Sequence, residues 1–153
     1  MLPAQWCQQF VSWCFYQACV RARSRKEAAA EGWVEDPKGW KYRLAGGTYV
    51  KGAWKFINGR WYVFANDGML IRGQWFCGDG LWYYLAADGG MLSKQWFCDQ
   101  GKWYYLTESG AMAVNTYVKD ARKDVWYWVD NEGAYDPAWD TEHPELGLLG
   151  CVN

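Results

Sequence analysis

The chain lacks a basic surplus. Its 153 residues carry 16 Lys and Arg against 17 Asp and Glu, a formal charge of −1. A nucleic-acid partner calls for a Lys/Arg stripe that displaces counterions. The aromatic residues here could stack on bases, but no such stripe accompanies them, and nucleic acid is excluded. Metal-ligand spacing is lacking too. None of Cys7, Cys14, Cys19, Cys77, Cys98 and Cys151 forms a CxxC pair, and the sole histidine is His143, so a zinc site is not expected. No motif calls for a cofactor. No stretch reaches the roughly 18 apolar residues that a membrane-spanning helix needs. A secretory signal is missing as well: Met1 to Val20 is interrupted by Gln5, Gln8 and Gln9, and its basic residues follow the apolar part. Export would then need another route or a longer chain. The last scarcity is of ordinary core residues. Half of the chain is apolar, but 13 Trp and 11 Tyr dominate where Leu, Ile and Val usually would. Trp and Tyr combine a large apolar body with a polar handle, which suits half-exposed surfaces and binding sites.

What is present is periodic. From Trp54 to Asn115 the chain reads as three copies of one unit, AWKFINGRWYVFANDGMLIRG, QWFCGDGLWYYLAADGGMLSK and QWFCDQGKWYYLTESGAMAVN. Trp54, Trp75 and Trp96 stand 21 residues apart, as do Trp61, Trp82 and Trp103, and Gly68, Gly89 and Gly110. A fixed period of this length marks an array in which each unit is one supersecondary element. Two weaker copies flank the three. Trp33, Trp40 and Gly47 keep the step upstream; downstream Tyr117 keeps it, while Trp126 and Gly133 arrive two residues late, after the polar stretch Lys119 to Asp124.

The turns define the unit. Asn58-Gly59 between two aromatic runs is a strong hairpin signal, because both central positions of a type I′ turn need positive φ. Asp79-Gly80 and Gln100-Gly101 occupy the same slot. A two-residue loop puts Phe56 opposite Trp61 and Trp54 opposite Val63, with Trp54 and Trp61 diagonal on one face. That face carries Trp75, Cys77, Trp82 and Tyr84 in the next unit, then Trp96, Cys98, Trp103 and Tyr105. The shared slot of Cys77 and Cys98 reads as a small buried apolar position rather than a disulfide ladder. An isolated hairpin is marginal in water, so the units must stack. The expected fold is mostly β: a solenoid of about five stacked hairpins over residues 32–140, preceded by one N-terminal α-helix within 1–31 and followed by an irregular tail, 141–153.

The helix rests on Trp6, Phe10, Trp13, Cys14 and Ala18, spaced by threes and fours on one face. Its segment Trp6-Cys7-Gln8-Gln9-Phe10-Val11-Ser12-Trp13-Cys14 resembles the nucleophile helix of CHAP-type peptidoglycan amidases and endopeptidases. The resemblance aligns Cys7 with the catalytic cysteine. A cysteine nucleophile needs a base beside it, and the strands and histidine of that family do not follow here. Cys7 is therefore expected to be a remnant without activity.

The pattern W-F-x-x-x-G-x-W-Y-Y-L-x-x-x-G-x-M resembles the cell-wall-binding, or choline-binding, repeats of Gram-positive bacteria and their phages, over about 105 residues. The resemblance implies a β-hairpin solenoid outside the cell whose aromatic boxes, between consecutive hairpins, take the choline of teichoic acids. A quaternary ammonium donates no hydrogen bond, so aromatic faces and apolar contact must recognise it. Carried over, one box uses Trp54 and Trp61 with Trp82, a second Trp75 and Trp82 with Trp103, and a third Trp96 and Trp103 with Trp126. Trp33 and Trp40 with Trp61 make an N-terminal box, and Met69, Met91 and Met112 close the boxes. The second-strand tyrosines are weaker candidates. The units open Gln-Trp-Phe-Cys where the commonest repeat opens Gly-Trp-Val-Lys.

Three other functions compete with a non-catalytic wall anchor. Related repeats bind glucan or host carbohydrate, and Asn66, Gln74, Asp88 and Gln95 offer the hydrogen bonds that a sugar needs beside an aromatic ring. A fragment of a wall-lytic amidase or endopeptidase, an endolysin, is the enzymatic alternative. A spacer whose aromatics only stack on one another is the third.

Overall fold

Left-handed turn residues shape the chain. In the computed structural model, which describes residues 30–120, 122–144 and 151–152, Asn58 and Gly59 have φ of 48° and 85°, Asp79 and Gly80 51° and 78°, and Gln100 and Gly101 49° and 81°. These pairs are the type I′ turns read from the sequence. They close β3 (Ala53–Ile57) on β4 (Arg60–Phe64), β5 (Gln74–Gly78) on β6 (Leu81–Leu85), and β7 (Gln95–Asp99) on β8 (Lys102–Leu106). Gly78 pairs with Leu81 and Asp99 with Lys102, the register of a two-residue loop. The flanking copies are hairpins too: β1 (Gly32–Asp36) with β2 (Gly39–Arg43), and β9 (Thr116–Asp120) with β10 (Val125–Val129), where the two extra residues lengthen the loop between Asp120 and Val125. Apart from Ala30 and Glu31, which are not helical, the N-terminal helix and Cys7 lie outside the described residues.

The chain divides into two units. In the described part of the first, residues 30–53 gather with Phe64–Leu70. Trp33 meets Tyr42 edge-on at 5.2 Å between ring centroids and Phe64 at 5.9 Å, and Phe64 is fully buried. Leu70 N–H donates to the Trp40 carbonyl at 2.7 Å.

The second unit comprises residues 54–63 and those from Ile71 onward. Here each connector forms a short third leg that answers both its own hairpin and the one before it. Leu92 N–H donates to Tyr84 of its own hairpin while Met91 N–H donates to Trp61 of the preceding one; Ala113 and Met112 repeat this with Tyr105 and Trp82, and Asp136 and Tyr135 with Trp128 and Trp103. Two-stranded hairpins would otherwise leave both outer edges bare. The last residues of the second strands, Leu85, Leu106 and Val129, are wholly buried. Each bridges to the connector that follows, Leu85 to Met91, Leu106 to Met112 and Val129 to Tyr135. Ala113, Val118 and Val129 form a small aliphatic core with Trp96 and Tyr105 against it.

Past the last hairpin, Asp136 caps a 3-10 turn, Pro137–Trp139, and Thr141 exchanges two backbone hydrogen bonds with Trp126. Within the stretch read as an irregular tail, β11 (Cys151–Val152) runs parallel to β9.

One expectation is overturned. Cys77 and Cys98 are not buried; both are exposed free thiols. They pair across the strands with Trp82 and Trp103, one row short of the turn, and that row extends past the buried columns. Phe56 in the equivalent slot is 53% exposed.

Candidate aromatic sites of the second unit

Alternation along each strand divides the aromatics into two sets. In β5–β6 Trp75, Trp82 and Tyr84 share one face and Phe76 and Tyr83 the other, and β7–β8 repeats this with Trp96, Trp103 and Tyr105 against Phe97 and Tyr104. Successive hairpins interlock these unlike faces. Trp54 meets Phe76 and Tyr83 of the next hairpin at 5.6 and 5.0 Å, and Trp61 of its own at 6.4 Å, all edge-on. Trp75 meets Phe97 and Tyr104 at 6.2 and 5.1 Å, and Tyr84 at 5.2 Å. Trp96 meets Tyr127 and Tyr135 at 5.9 and 5.7 Å. Edge-to-face pairs of this kind contribute about 0.5–1.5 kcal/mol beyond their burial.

The two tryptophan columns therefore differ. Trp54, Trp75 and Trp96 are half-buried and wedge into the next hairpin, and Trp75 also donates its indole N–H to Asp99 at 2.9 Å. Trp61, Trp82 and Trp103 remain 44%, 46% and 49% exposed, each beside the connector that docks on its carbonyl. An exposed aromatic next to a buried one, with a methionine leg alongside, makes a half-open apolar notch. Met91 N–H donates to the Trp61 carbonyl and Met112 N–H to that of Trp82, while the thioether of Met91 lies against Gly110 and that of Met112 against Gly133.

Several expected members stand elsewhere. Among the rings that reach Trp54 and Trp75 from the next hairpin, Tyr83 and Tyr104 are the neighbours in sequence of the expected Trp82 and Trp103 and point to the opposite face. Met69 is one residue ahead of the methionine slot. It takes the turn position of Gly90 and Ala111, its carbonyl accepting from Ala65, while Leu70 occupies the slot of Met91 and Met112. Trp33 and Trp40 belong to the first unit and are 36% and 37% exposed.

The third notch is a defined cavity of about 400 Å³ lined by Trp96, Trp103, Asp120, Lys123, Tyr127 and Tyr135. Tyr127 stands where Trp126 was expected. With Trp126 opposite Lys119 and Tyr127 opposite Val118, alternation turns Trp126 to the other face, where the Lys119 ammonium lies 5.3 Å from its ring. Tyr135 holds the methionine slot, two residues late in step with the insertion. Its hydroxyl donates to Asp140 at 2.6 Å; that bond and burial push the phenol up to about 12. Asp120 accepts from Arg122 N–H and from the Tyr127 hydroxyl. Chiefly through the backbone bond, its carboxyl stays below the usual carboxylate range. Sequence reading held Tyr127 only among the weaker second-strand candidates and missed Tyr135, which carrying the two-residue shift through to the connector would have found.

Among the candidate sugar partners, Asp88 is already engaged. It holds Arg60 through two hydrogen bonds of 2.6 and 3.4 Å and accepts from Gly90 N–H. Its carboxyl is lowered mainly by Arg60, and the guanidinium is raised mainly by Asp88. Among the described residues no three His, Cys, Asp or Glu side chains gather to hold a metal ion, and no helix is long and apolar enough to cross a membrane.

Comparison with known proteins places this geometry. Residues 50–96 match the choline-binding repeat and residues 94–112 the cell wall binding repeat. No curated protein sequence matches the chain. Among solved structures, the cell wall endolysin of phage Cp-1 complexed with choline is 34% identical, with a TM-score of 0.58 over 70% of this chain and 31% of its own. Choline binding protein F of Streptococcus pneumoniae is likewise 34% identical, with a TM-score of 0.58 over 70% of this chain and 34% of its own. Truncated alternansucrase of Leuconostoc mesenteroides is 26% identical, with a TM-score of 0.63 over 69% of this chain and 10% of its own. The chain thus spans about a third of the first two proteins and a tenth of the last. Residues 50–112 are repeats of the choline-binding, cell-wall-binding family.

Proposed function

We propose that the hairpin array is a non-catalytic anchor that binds the choline groups of a teichoic-acid-type wall polymer, outside the cell, through the notches beside Trp61, Trp82 and Trp103. The observation that carries this reading is the cavity whose walls are Trp96, Trp103, Tyr127 and Tyr135. Four aromatic walls around a space of that size suit a trimethylammonium head, which offers methyl groups and a diffuse positive charge but no hydrogen-bond donor. In the two hairpins before it, Met91 and Met112 hold the connector position that Tyr135 holds here. A polarizable thioether adapts to an irregular apolar ligand. Each site is expected to be weak, about 0.5–2 kcal/mol per aromatic contact, and several on one polymer act together. The Arg60–Asp88 pairing weighs against a sugar ligand, because Asp88, the one carboxylate among the candidate sugar partners, is already engaged.

Titration of the purified chain with choline, followed by tryptophan fluorescence, tests the reading; glucose oligomers and a primary amine serve as controls. Saturable millimolar quenching by choline is the expected result. A flat choline response with a response to glucose oligomers would overturn it in favour of carbohydrate.

A further inference from the structure

Residues 137–141 lie beyond the repeats, yet they take a position that the repeats define. Each connector of the second unit donates one backbone N–H to the hairpin before its own: Met91 to the Trp61 carbonyl, Met112 to that of Trp82 and Tyr135 to that of Trp103. Trp126 holds the same slot in the last hairpin, and its carbonyl accepts from Thr141 N–H at 3.1 Å. The chain reaches Thr141 from Trp126 in half the residues that separate Met91 from Trp61. A short segment thus stands in for the connector of a further hairpin. The connector side chains are held from the following element as well. The thioether of Met91 lies against Gly110, and that of Met112 against Gly133. For Tyr135 that place is taken by Asp140. The phenol donates to Asp140 Oδ2 at 2.6 Å, while Oδ1 accepts from Trp128 N–H at 3.3 Å. Asp140 closes the 3-10 turn that Asp136 opens, donating its backbone N–H to the Pro137 carbonyl.

A tyrosine makes a different wall from a methionine. A thioether adapts to what it touches, whereas a rigid ring presents its face or its edge according to how it is aimed. Tyr135 meets Trp96 and Tyr127 edge-on, each at 5.7 Å, and the three line the cavity together with Trp103. A phenol that donates to a carboxylate makes a charge-assisted bond, stronger than a neutral one, and the rise of the Tyr135 phenol to about 12 reports it. The residue is fixed at both ends. Its backbone N–H is bound to Trp103, and its hydroxyl is tied through Asp140 to the backbone of β10. Building on the reading above of this cavity as a binding site, we infer that Asp140 is a positioning residue of the last cavity: residues 137–141 replace a following hairpin, and Asp140 aims Tyr135 as the wall.

Fluorine NMR of the full chain labelled with 5-fluorotryptophan reads the notches separately, with resonances assigned through Trp61→Phe, Trp82→Phe and Trp103→Phe. Titration with choline then gives a midpoint at each tryptophan. Asp140→Ala is expected to raise the Trp103 midpoint about three- to ten-fold, the worth of one hydrogen bond, and to leave those of Trp61 and Trp82 where they are. Tyr135→Phe keeps the ring, loses only the hydroxyl and should match that effect. The double variant should lose no more than either single change, because both remove the same bond. Asp140→Asn keeps an acceptor for the phenol and should retain most of the wild-type affinity. A Trp103 midpoint unmoved by Tyr135→Phe, or single losses that simply add in the double variant, would overturn the inference while leaving the choline reading in place. Equal shifts at all three tryptophans would overturn it too, since they mark a general loosening of the array. No choline response at any tryptophan of the wild type would remove that reading and this inference with it.

Discussion

At the scale of single residues, two tryptophans of neighbouring hairpins do different work. Trp54 is wedged among Trp61, Phe76 and Tyr83, whereas Trp82 is 46% exposed. Trp54→Ala is expected to cost about 3–5 kcal/mol in urea unfolding, the range for a large aromatic deleted from a packed setting. Trp82→Ala should cost under about 1 kcal/mol of stability and yet weaken choline binding. Equal losses of stability in the two variants would refute this division between core and site. Tyr135 supplies a spectroscopic marker. Its phenol is raised to about 12, above the ordinary value of 10, so the native fold favours the protonated form. That contribution is complete below pH 10 and is lost as pH rises from 10 toward 12. Absorbance titration should show Tyr135 ionising late, and Asp140→Asn should return it toward the ordinary range, because hydrogen bonding to Asp140 is the largest cause of the shift.

At the scale of the element, the repeating object is a hairpin with a short third leg. The leg depends on the glycine that starts it. Gly110 has φ of 86°, and Met91 packs so closely against its Cα that a Cβ there would overlap the thioether. Gly110→Ala therefore meets two obstacles, a left-handed backbone and a displaced methionine. The backbone alone should cost about 1–2 kcal/mol, measurable as a lower urea midpoint. Because Met91 adjoins Trp61, choline affinity should fall together with stability. The longer turn before β10 changes the site more than the strand: β9 and β10 pair in register, while Asp120 and Lys123 bring charge to a cavity that is otherwise aromatic.

At the scale of the molecule, the repeated notches matter through their number. Sites that each bind a head group weakly gain when several engage one polymer, by factors of about 10² or more where the spacing allows. Wall polymer bearing many choline groups should therefore be retained by the chain at concentrations far below those needed for free choline. Trp61→Ala or Trp103→Ala should reduce retention on the polymer more steeply than it reduces free-choline binding. Proportionate losses in both assays would argue that the notches act singly.

The sequence by itself determined the repeat, its five hairpins and, through Asn58-Gly59, Asp79-Gly80 and Gln100-Gly101, the register of the inner three. It could do so because turn chemistry and strand alternation are local: positive φ at two neighbouring residues leaves the chain few other conformations. The Trp54–Trp61 pairing was legible for the same reason. What lies between hairpins was not. Only the tertiary structure decided that Trp54 meets Tyr83 and not Trp82, and that Leu70, not Met69, stands with Met91 and Met112. It also exposed Cys77 and Cys98, and it closed the last cavity with Tyr127 and Tyr135 in place of Trp126. Each depends on which face of one hairpin meets which face of the next, and stacking, not the alternation inside one hairpin, sets that choice. A one-residue difference in slot then reverses whether a side chain points into a notch or away from it.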